Sequence, residues 1–593
     1  MANRETGAGE RSRWAAVVEE VDGAFLARPL VDGAAPPRPL DAASQHTTSA
    51  DSVVVVSTLG GGKVRIEHTL ASGGTTLADV YRLAGRHDVN PLYPPEVHAE
   101  VDRLIADPGL EDPALENLEQ LPFVTIDNTD SRDLDQAIYI EANGEQTTVY
   151  YALADAAHYI RPGSALFAEA LARGSSFYLP GLAIPMLPRA LSEGLISLNE
   201  GVVRRALVFV MELDREAACR QTRLAQCRIR SRRKLSYRRV QSAWDDPWGS
   251  SFDGEDFAES LHLLRRVGEL RIADARRRQV VDYNRRELSL RPKGEGWAIE
   301  PRQRLHVERC NEQISLLCNI EGARLLVRGR GLEHVQPIFR VHPEPGADRL
   351  RALRSRISHL VRLHGLQDDR WRWRTGQNLD EYLRNLPSKV RPRLAAAIYR
   401  QAILTNRRSL FGAEPGPHHG IGAPVYARFS SPMREIVGVF THKEALEQIR
   451  GPANARPTAA DIELRDRVVA RGNFSKSLQR TLEKEAHLLA LDHVFGRELH
   501  RQAEKRTIRH ATVLGMKPHL VYVRLDDPQL EVKLHLKDLE RITGERWRGD
   551  RRLVEVRPPA DSQRPPLRMG GLAKLRLWGH DRKRRRWLFE PVR

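Results

Sequence analysis

Residues 13 to about 75 alternate apolar and polar positions in the rhythm of strands. The run VVVVS from Val53 leads through Gly60-Gly61-Gly62 into KVRIEH, the pattern of two strands joined by a tight turn. A small β-barrel is the expected product, with the Pro/Ala-rich stretch from Asp32 to Asp51 as its long loop. From Pro94 to Ile105 the period becomes helical, and Asp107-Pro108-Gly109 stops it. A mixed α/β region then runs to about Leu499. Within it Ile314, Leu317, Ile320 and Leu325 mark the apolar side of a helix from Val307 to Leu326. Past Lys505 strands return: HLVYVRL, a turn at Asp526-Asp527-Pro528, LEVKLHL, and AKLRLWG running through a basic turn into RWLFE. This is the pattern of a five-stranded OB barrel. The organisation predicted is a barrel over residues 1–80, a helical linker over 81–118, a mixed α/β domain over 119–504 and a second barrel over 505–593. A chain of 593 residues is too long for one core and suits three or four domains.

Composition narrows this picture. Hydrophobic residues make up 41% of the chain, enough for folded domains. The start, MANRETGAGERSRW, lacks the apolar core of a signal peptide, and no run of about 18 uncharged apolar residues offers a membrane span. A soluble cytoplasmic protein is expected. Four cysteines, Cys219, Cys227, Cys310 and Cys318, show no CxxC spacing, so they read as reduced, mostly buried thiols. The charge balance is more telling: 94 Lys plus Arg against 77 Asp plus Glu, a net +17. Such a chain attracts polyanions by releasing their counterions.

Against that basic background stands one acidic knot, FVTIDNTDSRDLDQAIYIE from Phe123. Val124 to Ile126 favour a buried strand and Asn128 to Ser131 supply turn formers. Asp127 should therefore end one strand, with the chain re-entering a strand at Leu134. Asp133 and Asp135, two apart in an extended segment, share a face, where their repulsion calls for a cation. Hard oxygen ligands in this number suit Mg²⁺ or Mn²⁺ and two-metal phosphodiester hydrolysis; a solvated acidic turn is the plainer reading. Further on, Ser430, Ser431 and Pro432 make a helix start, with Met433, Ile436, Val437 and Phe440 as its apolar stripe. Arg434 is thereby expected in the first helical turn, where phosphate is favoured. The last hairpin sets Arg584 and Arg585 beside Trp578, Trp587 and Phe589, a basic and aromatic mixture that suits single strands. The aromatics read equally as barrel core.

The ordered segments TIDNTDSRDLDQA, YALADAAHYIRPGS, RGSSFYLPGLAIPMLPRALSEGLISLN, NEQISLLCN, FRVHPEP and FSSPMREIVGVFTHKEAL resemble the ribonuclease II and ribonuclease R (RNB) family, which includes the exonuclease subunit of the eukaryotic exosome. The resemblance covers most of the chain. It implies a mixed α/β RNB-type catalytic domain flanked by OB-fold RNA-binding barrels. It also implies Mg²⁺-dependent, processive 3′→5′ hydrolysis of single-stranded RNA to nucleoside 5′-monophosphates, and the basic surface suits a monomer working on RNA. By the same resemblance Asp127, Asp133 and Asp135 hold the metal, Asp135 being the residue on which chemistry most depends, and Arg434 acts at the scissile region. Tyr178 packs on the 3′-terminal nucleotide, with Tyr283 as an opposing aromatic, and Glu312 and Asn319 face the ribose hydroxyls. The sequence departs from the family pattern at Gln136 and Gln313, where carboxylates are usual, and at Glu435, Ile436 and Gly438, where Arg, Tyr and Asp are usual. These departures motivate an alternative: an RNA-binding protein on a catalytically impaired RNB scaffold.

Overall fold

The computed structural model describes residues 13–31, 33–246, 252–281, 283, 287–293, 296–328, 335–450 and 459–593. At the amino-terminal end, strands β1 (Arg13–Val21), β2 (Ala24–Pro29), β3 (Arg38–Pro39), β4 (Val53–Thr58) and β5 (Val64–Ala71) form an antiparallel sheet in the order β3-β2-β1-β4-β5. A bridge between Leu40 and Val64 returns β5 to β3 and closes the barrel. Its core is the inward face of alternating residues, Ala16, Val18, Ala27, Val54 and Val56. The expected long loop carries more than a loop: β3 and the one-turn helix Ala42–Gln45, capped by Asp41, lie within it.

The carboxy-terminal barrel has the same winding. Strands Ile508–Lys517, Leu520–Leu525, Glu531–His535, Leu572–Asp581 and Arg586–Val592 order as third, second, first, fourth and fifth, with helix Leu536–Thr543 again following the third strand. That is the five-stranded Greek-key arrangement of an OB fold at both ends of the chain. Helices Ala347–Leu363 and Pro392–Ile403 share the hydrophobic core of this second barrel, through Leu353, Ile357, Leu394 and Ile398. The core boundary therefore falls well before residue 505: the helical segment packs with the barrel, because its apolar faces point there.

Between the barrels lies the sheet that positions the site, with order β12-β9-β8-β7-β13-β6, from β6 (Glu116–Asn117), β7 (Phe123–Asp127), β8 (Gln136–Asn143), β9 (Gln146–Ala154), the separate hairpin β10 (Phe177–Leu179) and β11 (Leu182–Ile184), β12 (Val203–Leu213) and β13 (Cys219–Ser236). β13 pairs antiparallel with β12 and then, past an irregularity at Ser231 to Arg233, parallel with β7, so the strands return on themselves. β7 and β8 meet through a single pair, Val124 opposite Ile138. Strand alternation sends Ile138, Ile140, Val149, Tyr151 and Phe209 toward helices Ala258–Arg277 and His306–Arg328. Ala137, Ala152, Ala154 and Val208 go toward helices Ala165–Arg173 and Ile436–Arg450. Helix Ala459–Leu499 crosses the second layer and reaches β10 and β11 through Leu482 and Ala486. Among the described residues no helix is long and apolar enough to cross a membrane. Cys227, Cys310 and Cys318 are buried and Cys219 half-buried, all four as thiols.

Candidate active site

β7 ends at Asp127, as its sequence predicts, but the next strand begins at Gln136, two residues later than expected. The intervening residues form a connection in which Asp127 Oδ1 accepts from the amide of Asn128 at 2.7 Å and the hydroxyl of Ser131 at 3.0 Å. The Ser197 hydroxyl donates to the Arg132 carbonyl and accepts from the Leu134 amide, which fixes the loop just before Asp135. Asp135 is buried, 2% exposed, while Asp127 and Asp133 are half-buried at the mouth.

A carboxylate in that position needs partners. Asp135 Oδ1 accepts from the Met433 amide at 3.0 Å, and Oδ2 lies 2.6 Å from Nε of Arg434. Burial pushes the Asp135 carboxyl up to about 6, against the pull of Arg434. Burial alone would lower the pKa of Arg434; Asp135, Tyr178, Asp133 and Asp127, which gather round it, raise it. The Arg434 Nη2 also donates to the Ser431 hydroxyl at 2.8 Å.

The helix predicted to start at Ser430 starts later. Ser431 has φ +70, Pro432 to Arg434 form a turn, and the helix begins at Ile436. Arg434 is thus in the turn ahead of the helix rather than in its first turn. Backbone bonds explain the delay: the Ser176 amide donates to the Arg434 carbonyl and the Ile436 amide to the Gly174 carbonyl, so this segment is stitched to the chain entering β10. Gly174, at φ +75, is required there, since a Cβ would strike the Ser475 hydroxyl of the crossing helix.

Tyr178, from β10, stands 46% exposed above the pair, with its hydroxyl 3.3 Å from Asp133 Oδ2. Gln479 holds its backbone, accepting from the Tyr178 amide at 3.2 Å and donating to its carbonyl at 2.9 Å. On one side of Tyr178 opens a cleft of about 1030 Å³ lined by Asp130, Tyr237, Arg238, Arg291, Arg302 and Glu308 among others. On the other lies a smaller cavity of about 340 Å³.

Several residues singled out in the sequence lie elsewhere. Asn319 is fully buried and uses its whole amide internally. It donates to the Tyr426 and Ser430 hydroxyls and accepts from the Phe429 and Ser430 amides, so it braces the segment leading to Arg434 instead of facing a ribose. Glu312 is exposed and paired with Arg304 at 3.1 Å, and it does not supply the charge missing at Gln136. The carbonyl of Gln136 is taken by the Tyr151 hydroxyl. Tyr283 packs against the core of the carboxy-terminal barrel with its hydroxyl on Asn406, outside the residues lining the cleft at Tyr178. Arg584 and Arg585 are exposed at a hairpin tip, Arg584 near Asp538 and Asp581, whereas Trp587 and Phe589 belong to the barrel core and only Trp578 is open.

Residues that sequence reasoning passed over include Tyr237, whose phenol is pushed up to about 12 by burial and by Asp127, and Gln479, Lys476 and Arg428 beside Tyr178 and Arg434. Tyr237, Gln479 and Lys476 carry no local signal, because each is brought in from a distant part of the chain, whereas Arg428 lies only a few residues before Arg434.

Among the described residues, no three His, Cys, Asp or Glu side chains already converge as a metal site. The donor chemistry nonetheless fits a hard divalent cation. Asp127, Asp133 and Asp135 lie within nine residues at the end of β7 and in the connection after it, and Asp135 Oδ2 is a buried oxygen without a hydrogen bond among the described residues, with the misaligned Nε of Arg434 2.6 Å away.

A model of the RNB domain family matches residues 115–443, more than half of the chain. The chain belongs to the RNB family. Exoribonuclease 2 of Cronobacter sakazakii is 32% identical over 358 residues, 59% of this chain and 54% of that protein, so the chain spans about half the length of the curated relatives it matches. In three dimensions the RNB chain is similar to Mycoplasma genitalium RNase R solved with ribose-methylated single-stranded RNA, with a TM-score of 0.77, 18% identity, and coverage of 98% of this chain and 90% of that one. It is also similar to yeast Ssd1, a pseudonuclease, with a TM-score of 0.59, 14% identity, and coverage of 92% of this chain and 67% of that one. The likeness to RNase R extends over the multidomain mixed α/β framework that the strand pattern predicts.

Proposed function

We propose that this RNB chain is a divalent-metal-dependent exoribonuclease that degrades single-stranded RNA processively from the 3′ end to nucleoside 5′-monophosphates. The observation that carries this reading is the pairing of buried Asp135 with half-buried Arg434, near Tyr178, which lines the cleft, and within the electrostatic reach of Asp127 and Asp133. The net charge of +17 and the two barrels support a polyanionic substrate.

In this mechanism the terminal base stacks on Tyr178, which tolerates any base, and the cleft admits one strand. Asp127, Asp133 and Asp135 would hold Mg²⁺ or Mn²⁺, which lowers the pKa of water and offsets phosphate charge. Water adds to the terminal phosphorus and the bond to the preceding 3′ oxygen breaks. That oxygen takes up a proton, and the last nucleoside leaves with its 5′-phosphate. Arg434 turns from Asp135 toward the developing charge, and the Met433 amide keeps Asp135 in place.

The test is a 5′-labelled single-stranded RNA incubated with Mg²⁺, beside Asp135→Asn. Stepwise shortening with release of 5′-monophosphates, absent in the variant, is expected. Intact but tightly bound RNA would favour the second reading, an RNA-binding protein on an impaired scaffold. Two observations motivate that reading: Gln136 is bound to Tyr151, and Arg434 occupies Asp135.

A further inference from the structure

The smaller cavity behind Tyr178 has a chemistry of its own. It is lined by Arg428, Arg434, Lys476 and Arg480 against a single carboxylate, Glu435. Arg428 Nη2 meets Glu435 Oε1 at 3.1 Å and Lys476 Nζ lies 3.6 Å from Oε2, so Glu435 is shared between two cations. Arg434 is matched by Asp135. The balance is still positive, and the buried Nε of Arg428 has no hydrogen-bond partner among the described residues. Lys476 Nζ also lies 4.4 Å from the ring centre of Phe411, an apolar wall that strengthens its field.

From this arrangement we infer that the cavity is a phosphomonoester site which receives the 5′-phosphate of the released nucleotide. The inference rests on the exoribonuclease reading for the source of that nucleotide, but not for the binding itself. Its volume of about 340 Å³ lies at the small end of the ~300–1,000 Å³ usual for ligand pockets, room for a mononucleotide rather than a chain. A phosphomonoester carries roughly −1.5 to −2 charges at neutral pH where each internal phosphodiester carries one, so surplus cations favour product over substrate. Tyr178 lines both this cavity and the larger cleft, and Arg434 lines this cavity, so the cavity adjoins the residues placed at the scissile phosphate. Burial draws the Lys476 ammonium down to about 7, with Glu435 opposing and Arg340 and Arg428 assisting, and a bound dianion would restore its charge.

The experiment is equilibrium binding of 5′-AMP, inorganic phosphate and adenosine to the full chain without divalent metal, with wild type beside Arg480→Glu, Lys476→Met and Lys476→Arg. Arg480 is exposed, so its reversal probes the site without disturbing the core, and thermal melts verify the fold of each variant. The expected result is that 5′-AMP binds and phosphate competes, while adenosine binds at least tenfold more weakly. Arg480→Glu and Lys476→Met should each lower affinity for 5′-AMP at least tenfold, and Lys476→Arg should retain it. Equal affinity for adenosine, or 5′-AMP binding unchanged in both charge-removing variants, overturns the inference. Because the readout is binding, a chain with no nuclease activity still returns a decisive answer.

Discussion

Asp135 Oδ2 lies 2.6 Å from Nε of Arg434, so the buried carboxylate best placed to hold a cation is held by a guanidinium. The two partners come from opposite ends of the family domain, and each limits the other. A cation held by Asp135 would leave Arg434 free to reach phosphate. Substituting either residue should therefore cost more than its own interaction. Asp135→Asn and Arg434→Gln should each reduce single-turnover cleavage by about 10²–10³ or more, as loss of a transition-state donor typically does. The double variant should be little worse than the poorer single one, and rates that multiply instead would mean that the two act independently.

Protonation provides a second handle. Burial raises the Asp135 carboxyl to about 6, so between the usual carboxylate value and about 6 the folded protein takes up a proton that the unfolded chain does not. Its contribution to stability is present at low pH and lost as pH rises through about 6, the reverse of a salt-bridged surface aspartate. Metal binding needs the ionised form, and Mg²⁺ affinity should fall about tenfold per pH unit below 6. Calorimetric titration at pH 5, 6 and 7.5 tests this, and affinity independent of pH over that range would contradict it.

If Tyr178 is the surface on which the terminal base stacks, Tyr178→Ala should cost about 1–3 kcal/mol per base and leave longer limit products, with initial shortening slowed less than the final steps. Tyr178→Phe deletes only the hydroxyl near Asp133 and should keep the product length. Gel resolution of end products distinguishes the two.

Asn319→Ala should destabilise rather than discriminate. Two backbone amides lose their acceptor, at about 1–3 kcal/mol each when buried. The expected outcome is a lower Tm and a slower rate, with the preference for RNA over DNA unchanged. An Asn319→Ala chain that gained activity on DNA at normal Tm would restore the ribose-facing role.

If Arg584 and Arg585 touch the RNA backbone, replacing both by Ala should weaken binding alike for all sequences. The slope of log K against log salt should then drop by about 0.7 for each phosphate no longer neutralised. An unchanged slope would make them a solvated turn, with Arg584 satisfied by Asp538 and Asp581.

Strand content was legible wherever alternation is strict. The runs from His519 and Leu530 announce a barrel by their period-two burial, while Val53 to Val56 is a continuous β-branched run buried at every position. The helix from His306 to Arg328 was equally plain from its apolar stripe. The acidic run was legible as chemistry but not as geometry. Burial of Asp135 alone, its capture by Arg434 and the late start of the following helix all depend on packing between segments far apart in the chain. Asn319 shows the limit most clearly: a polar residue on a helix looks exposed until a buried loop is found that needs all its hydrogen bonds. Lys476 was hidden for the same reason, being an ordinary basic residue until the crossing helix brings it to Glu435, where Arg428 from the preceding loop also pairs.

Asp127 closes one strand and Asp135 immediately precedes the next, and the ladder between these two strands is a single pair, Val124 with Ile138. The ladders on either side, between β8 and β9 and between β7 and β13, are longer, so the acidic site sits where the sheet is thinly zipped. Parting the sheet there would sacrifice few backbone bonds, leaving Ser197 as the anchor of the residues on either side of Asp133. The ladder's thinnest seam thus doubles as its compliant joint, and amide exchange after β7 should run ahead of exchange in β9 and β12.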